Sequence, residues 1–143
     1  MTGVQTCALP IFGVHVGQSD IVGKDVRAMI APDKILGISA NTVETAVAAQ
    51  AAGADYIGVG AVFPTSTKTD AKSLSREEMR AICEAVDIPV VAIGGINAGN
   101  LPQLAGSGVD GVAVVSAIFA QPDPGAATRH LLELAGTMVA SHG

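Results

Sequence analysis

The chain has 143 residues, of which 49% are hydrophobic and 15% are charged, and its formal net charge is −5. This length suits one domain with its own core, and the composition excludes an intrinsically disordered chain. The acidic balance and the lack of a long apolar run argue against nucleic-acid and membrane partners, so we expect a cytoplasmic protein.

The first eleven residues match nothing that follows and have no clear hydrophobic period. They can be read in frame from a common sequencing-adapter oligonucleotide. We therefore expect residues 1–11 not to be native and residues 12–143 to belong to a single folded domain. Resequencing the source DNA across this junction tests that expectation.

Short apolar strands, polar loops and helices alternate from Gly13 onward. The predicted strands cover residues 14–16, 35–38, 56–60, 89–93 and 111–115. Their starts are about 20 to 30 residues apart, the length of one βα unit, which predicts an α/β fold with a parallel sheet. Two architectures fit this pattern, a doubly wound open sheet and a (β/α)₈ barrel. The absence of a G-x-G-x-x-G motif after the first strand weakens the open-sheet interpretation.

Several helices carry terminal signals. Ser75 and Glu78 form the pattern of a capping box, and an apolar face beginning at Met79 follows it. A second helix is predicted to start at Asn41 and to end before Gly53. Further helix starts are predicted at Asn100 and at the pair Asp123 and Pro124.

The loop after the third strand reads F-P-T-S-T-K. It brings together Thr65, Ser66, Thr67 and Lys68, three hydroxyls and one cation, directly after a buried strand. Such groups suit the oxygens of a phosphate. A polar surface loop without a ligand is the alternative interpretation.

Two further loops fit a phosphate site. Gly94 and Gly95 follow the fourth strand, and Val115 and Ser116 follow the fifth. In many barrels the loops after the last two strands hold a phosphate through backbone N–H groups. A tight turn after the fourth strand is the alternative for the two glycines.

The first two strands also end in polar residues. Asp20 follows the first, where one carboxylate oxygen could help to hold Mg²⁺ together with substrate phosphates. Ser39 ends the second, where its hydroxyl would face the same rim. Capping of a helix by Asp20 and an ordinary loop start at Ser39 are the alternatives. His15 lies between two valines of the first strand, which favours a structural role.

Together these segments resemble thiamine phosphate synthase. They are G-V-H-V-G-Q-S-D at 13–20, I-L-G-I-S-A-N-T at 35–42, G-A-D-Y-I-G-V-G-A-V-F-P-T-S-T-K at 53–68, I-P-V-V-A-I-G-G-I at 88–96 and G-V-D-G-V-A-V-V-S-A-I at 108–118. The resemblance implies a (β/α)₈ barrel of which this chain holds the last five parallel strands. It also implies a transferase that joins 4-amino-2-methyl-5-hydroxymethylpyrimidine diphosphate to 4-methyl-5-hydroxyethylthiazole phosphate, forming thiamine phosphate and pyrophosphate.

The resemblance assigns roles to the polar residues described above. It makes Asp20 a ligand of a Mg²⁺ cofactor, and it makes Ser39 and Lys68 catalytic contacts to the diphosphate. The residues that it implies for the thiazole phosphate are Thr65, Ser66, Thr67, Gly95, Val115 and Ser116.

The sequence departs from the family at two points. Asn41 stands where the family usually has histidine, and three βα units that the family carries upstream are not present here. Two alternatives therefore stay open: a relative that resembles the thiazole tautomerases, and a phosphate-binding fragment without catalytic activity.

Five strands cannot close an eight-stranded barrel, which predicts two unpaired sheet edges and solvent contact for side chains of the barrel interior. We expect the isolated chain to associate, as a homo-oligomer or an aggregate, and to turn over substrate poorly. Light scattering during size-exclusion chromatography measures the association. A monodisperse monomer with cooperative unfolding would contradict it.

Overall fold

The computed structural model describes residues 12–20, 25–64 and 73–141. In these ranges five parallel strands form one sheet in the order β1-β2-β3-β4-β5. The strands are β1 (Gly13–Val16), β2 (Ile35–Ser39), β3 (Tyr56–Val59), β4 (Val90–Ile93) and β5 (Gly111–Ala113). The helices are α1 (Val26–Met29), α2 (Val43–Ala51), α3 (Arg76–Ala85), α4 (Ser116–Phe119) and α5 (Pro124–Ala140), with 3₁₀ helices at Gln18–Asp20 and Leu101–Leu104.

The prediction of five parallel strands alternating with helices is confirmed. Two strands end earlier than predicted. β3 ends at Val59 because the N–H of Gly60 donates to the side chain of Asn41 rather than to a neighbouring strand. β5 ends at Ala113, and Val115 instead caps α4.

The two faces of the sheet differ sharply. One face is packed into the core together with apolar residues of α2, α3 and α5. Its members are at most 1% exposed in the three central strands: Leu36, Ile38, Ile57, Val59, Val90 and Ala92. Helices on one face only are typical of a barrel wall, whereas a doubly wound sheet has helices on both faces.

The opposite face, here called the inner face, is poor in large apolar side chains. The register aligns His15 with Gly37 and Ser39 with Gly58 across neighbouring strands. Ile93 lies farther along this face and is 45% exposed. The expected solvent contact of barrel-interior residues is therefore seen, and within the described ranges β1 and β5 are the edges of the sheet.

The helix signals in the sequence are largely confirmed. The Ser75 side chain accepts from the N–H of Glu78, and the Glu78 carboxylate accepts from the N–H of Ser75. Met79 is buried behind this capping box. Pro124 begins α5 with Asp123 as its N-cap, and Asn100 directly precedes a 3₁₀ helix.

The predicted start of α2 at Asn41 is wrong by one residue. Thr42 is the N-cap, since its extended backbone lets the hydroxyl accept from the N–H of Thr45. This leaves the Asn41 side chain free to bond the end of β3. The predicted end of α2 before Gly53 is confirmed by a φ of +94° at that glycine.

A repeated Gly-x-Asp device holds the amino ends of two strands. Asp55 donates its N–H to the carbonyl of Leu36 and accepts the N–H of Leu36 on its carboxylate, at 2.7 and 2.8 Å. Asp110 makes the same pair of bonds with Val90, at 2.8 and 2.9 Å. Each aspartate thus joins a strand to the connection that enters the next strand.

Cys83 packs beside the second of these devices. Burial raises the pKa of its thiol to about 11, so the group stays protonated at neutral pH, as expected of a packed cysteine.

No helix in the described ranges has both the length and the apolar character needed to cross a bilayer.

The Asp55 device predicts a loss of stability in acid. The hydrogen bond from the Leu36 N–H and the nearby Arg27 guanidinium lower the pKa of the Asp55 carboxyl. The ionised Asp55 carboxylate therefore stabilises the fold at pH values above the pKa of this group in the unfolded chain. The stabilisation is lost as the pH falls through its pKa in the folded chain. Asp55→Asn should lower the free energy of unfolding near pH 7. Between about pH 5 and about pH 2 the free energy of unfolding should fall less in this variant than in the wild type.

Urea unfolding followed by circular dichroism across this pH range measures the difference. Asp33→Asn is the control, because it removes an exposed carboxylate 3.9 Å from Lys34. Equal pH profiles for the wild type and Asp55→Asn would contradict the role given to Asp55.

Candidate active site

A cavity of about 720 Å³ lies at the carboxyl ends of β2, β3, β4 and β5. This is the rim of the sheet at which barrel enzymes bind their substrates. Its lining comprises Ser39, Asn41, Gly58, Gly60, Ala61, Ile93, Gly94, Gly95, Ile96, Ala113, Val114, Val115 and Ser116. Four of the predicted site residues, Ser39, Gly95, Val115 and Ser116, therefore lie around one cavity.

The turn after β4 presents backbone amides. The Gly94 carbonyl accepts from the N–H of Phe63 at 3.2 Å, and the Gly95 carbonyl accepts from Nδ2 of Asn100 at 2.8 Å. In a trans peptide the N–H points opposite to the carbonyl. The N–H of Gly95 therefore points away from Phe63, and the N–H of Ile96 points away from Asn100. Gly95 and Ile96 both line the cavity.

Both glycines of this turn are required by its shape. Gly94 has a φ of +97° and Gly95 a φ of +70°, a region that side chains disfavour. A Cβ on Gly94 would lie 2.8 Å from Cα of Ala61, and one on Gly95 would lie 2.8 Å from the Phe63 carbonyl oxygen. The structure therefore shows a tight turn, while a phosphate-binding role for its amides stays a prediction.

Val115 and Ser116 border the cavity from the end of β5. Val115 is 72% exposed, and Ser116 is exposed at the first position of α4. Ser116 and the turn after β4 line the same cavity. This arrangement can offer one hydroxyl and several amides to a single group of oxygens.

Ser39 is held by two partners at the end of β2. Its carbonyl accepts from Nε2 of Gln18 at 2.6 Å, and its Oγ lies 2.9 Å from Nε2 of His15. Nδ1 of His15 lies 2.8 Å from the hydroxyl of Tyr56. Burial lowers the pKa of His15, so its imidazole is neutral at pH 7.

Tyr56 is a residue that sequence reasoning missed as part of the site. His15 does point away from its neighbour Val16, as predicted, but this direction brings it to Ser39 and Tyr56 on the inner face. The sequence did contain a signal, because His15, Ser39 and Tyr56 are polar side chains in or at the end of three predicted strands, and alternate positions of a strand share one face. Which of them meet depends on the register between strands.

Asn41 bridges two strands at the rim. Its Oδ1 accepts from the N–H of Gly60 at 3.0 Å, so the position that departs from the family pattern supports the start of the loop after β3. A histidine can also accept such a bond through a ring nitrogen.

The remaining predicted site residues lie outside the described residues. They are Thr65, Ser66, Thr67, Lys68 and the side chain of Asp20. Among the residues that the structure does describe, no three His, Cys, Asp or Glu side chains come together to hold a metal ion.

Comparisons with known proteins agree on one family. The family model described as "Thiamine monophosphate synthase" matches residues 5–118. A thiamine-phosphate synthase of Ruminiclostridium cellulolyticum is 58% identical over 122 residues, covering 85% of this chain and 58% of that protein. One of Methanobrevibacter smithii is 52% identical over 126 residues, covering 88% of this chain and 60% of that protein.

A solved structure gives the same result. The thiamine phosphate pyrophosphorylase of Pyrococcus furiosus superposes with a TM-score of 0.77 at 40% identity, covering 90% of this chain and 61% of that chain. This chain thus spans about 58% to 61% of the length of these three relatives.

The turn after β4 predicts a graded response to alanine. Gly106 also has a positive φ, +84°, but a Cβ there would meet no described atom within 4 Å. Gly106→Ala should therefore lower the free energy of unfolding by about 1 kcal/mol, from the backbone conformation alone. Gly95→Ala should lower it by about 3 kcal/mol, because it adds the collision with Phe63.

Urea unfolding of both variants measures the two costs. Equal losses of stability would contradict the close approach at Gly95.

Proposed function

The chain belongs to the thiamine monophosphate synthase family, and from this premise we propose that it couples 4-amino-2-methyl-5-hydroxymethylpyrimidine diphosphate to 4-methyl-5-hydroxyethylthiazole phosphate. The products are thiamine phosphate and pyrophosphate. One observation carries the proposal: Ser39, Gly95, Val115 and Ser116, from the ends of three strands, line a single cavity.

The thiazole phosphate is assigned to the part of the cavity between β4 and β5. The N–H groups of Gly95 and Ile96 and the Ser116 hydroxyl are donors, as phosphate oxygens require. Thr65, Ser66 and Thr67 are assigned to the same phosphate through their hydroxyls. Val115 contributes an exposed apolar surface, which suits the thiazole ring or its methyl group.

The pyrimidine diphosphate is assigned to the part of the cavity beside β2. There the Ser39 hydroxyl donates to a diphosphate oxygen, and the Lys68 ammonium offsets the negative charge that grows on the leaving pyrophosphate. The bond from the pyrimidine methylene to the diphosphate oxygen breaks, and its electron pair stays on that oxygen. The thiazole nitrogen forms the new bond with its own lone pair, so no general base is needed.

The donor set also suits Mg²⁺. This ion is usually held by one or two carboxylates while substrate phosphates and water supply the other oxygens. We assign one such carboxylate to Asp20, whose backbone lies in the 3₁₀ helix that follows β1. When bound, the ion neutralises charge on the diphosphate.

Calorimetric titration of the chain with each substrate in the presence of Mg²⁺ tests the proposal. Both the thiazole phosphate and the pyrimidine diphosphate should bind. Ser116→Ala should weaken the thiazole phosphate about tenfold, since one hydrogen bond to a charged oxygen is lost. Ser141→Ala, at the end of α5, is the matched control and should bind like the wild type.

The outcomes separate the alternatives. Binding of the thiazole phosphate without the pyrimidine diphosphate would favour a non-catalytic phosphate-binding protein. Preference for a thiazole carboxylate phosphate, independent of Mg²⁺, would favour a relative of the thiazole tautomerases. Binding of neither substrate would contradict the proposed site.

A further inference from the structure

The inner face carries a chain of three polar side chains, Tyr56, His15 and Ser39, which we call the imidazole chain. His15 is its centre: Nδ1 lies 2.8 Å from the Tyr56 hydroxyl, and Nε2 lies 2.9 Å from Oγ of Ser39. Both distances are those of hydrogen bonds. The chain joins three neighbouring strands, and only Ser39 among its members lines the cavity at the rim.

Two glycines make room for the rings. A Cβ on Gly37 would lie 2.2 Å from Cζ of Tyr56, and a Cβ on Gly58 would lie 3.1 Å from Cε1 of His15. The Tyr56 ring therefore rests against the bare backbone of Gly37 on the neighbouring β2, and the His15 ring reaches from β1 to the bare backbone of Gly58 on β3. The positions of both rings are fixed by the sheet rather than by flexible side chains.

The hydrogen atoms of the chain can be arranged in two ways. Burial lowers the pKa of His15 and raises that of Tyr56, so at pH 7 the imidazole is neutral and the phenol is protonated. A neutral imidazole carries one N–H. Either Tyr56 donates to Nδ1 and Nε2–H donates to Ser39, or Ser39 donates to Nε2 and Nδ1–H donates to Tyr56.

Relative acidity selects the first arrangement. A phenol is a far stronger acid than the hydroxyl of serine, so it is the better donor to a basic ring nitrogen. Tyr56 then occupies Nδ1, and the remaining proton sits on Nε2. Since Oγ of Ser39 accepts that proton's hydrogen bond, the hydrogen of Ser39 is left for another acceptor, and Ser39 lines the cavity.

We propose that Tyr56 is a positioning residue that fixes the tautomer of His15 and thereby aims the Ser39 hydroxyl at a bound anion. The identity of that anion as a diphosphate rests on the function proposed above. The tautomer itself does not, because it follows from the three side chains alone. In the opposite tautomer, the Ser39 hydroxyl would donate its only hydrogen to Nε2 of His15.

Nitrogen NMR of the full ¹⁵N-labelled chain at neutral pH tests the tautomer directly, with His15→Asn used to assign the His15 signals. In the wild type, Nε2 should carry the proton. Ser39→Ala should keep that tautomer, because Tyr56 still donates to Nδ1. Tyr56→Phe preserves the ring and should give a mixture of tautomers. A proton on Nδ1 in the wild type, or an unchanged tautomer in Tyr56→Phe, overturns the proposal.

Titration with inorganic pyrophosphate and Mg²⁺ tests the consequence for binding. Ser39→Ala should weaken binding about tenfold, and Tyr56→Phe about threefold, since its Ser39 hydrogen faces the cavity only part of the time. Equal affinity of the wild type and Tyr56→Phe overturns the positioning role. If the wild type does not bind pyrophosphate, the diphosphate site of the proposed function fails, while the NMR result still decides the tautomer.

Discussion

The constraint on which the candidate site depends is that, among the residues the structure describes, helices pack on one sheet face only. The packed face carries the buried apolar side chains that stabilise the sheet, whereas the isoleucines of the inner face, Ile35 and Ile93, are about half exposed. The inner face is free to carry glycine, serine, histidine and tyrosine at the positions that alternate with the core. Because all strands run in parallel, their carboxyl ends gather these groups at one rim.

Glycine at chosen points lets groups approach closely on that face and rim. Gly37 and Gly58 admit the rings of Tyr56 and His15, and Gly95 admits the carbonyl of Phe63. Each does so by lacking a Cβ that would collide with a neighbour. Side-chain hydrogen bonds then fix the backbone around these bare positions, as Asn100 does for the carbonyl of Gly95. Rigid amides and hydroxyls are what an anion site requires, since their orientation is set before the ligand arrives.

Much of the fold could be predicted because the signals are local. The capping box at Ser75 and the left-handed glycine at Gly53 depend on residues three or four positions apart. The start of α2 was misplaced because Asn41 and Thr42 are both good N-caps. The choice between them depended on the hydrogen bond from the Gly60 N–H to Asn41. The two residues are 19 positions apart, so no local pattern indicates this bond.

The sequence by itself determined the five strands, most helix ends and four of the residues that line the rim cavity, Ser39, Gly95, Val115 and Ser116. It could do so because periodicity and capping depend on neighbouring positions. Only the tertiary structure decided that helices cover one face, and that His15 lies between Ser39 and Tyr56. These contacts depend on the register of strands separated by 24 and 41 positions. A shift of one residue would turn the same side chains to the other face, and no local pattern records which register the folded sheet adopts.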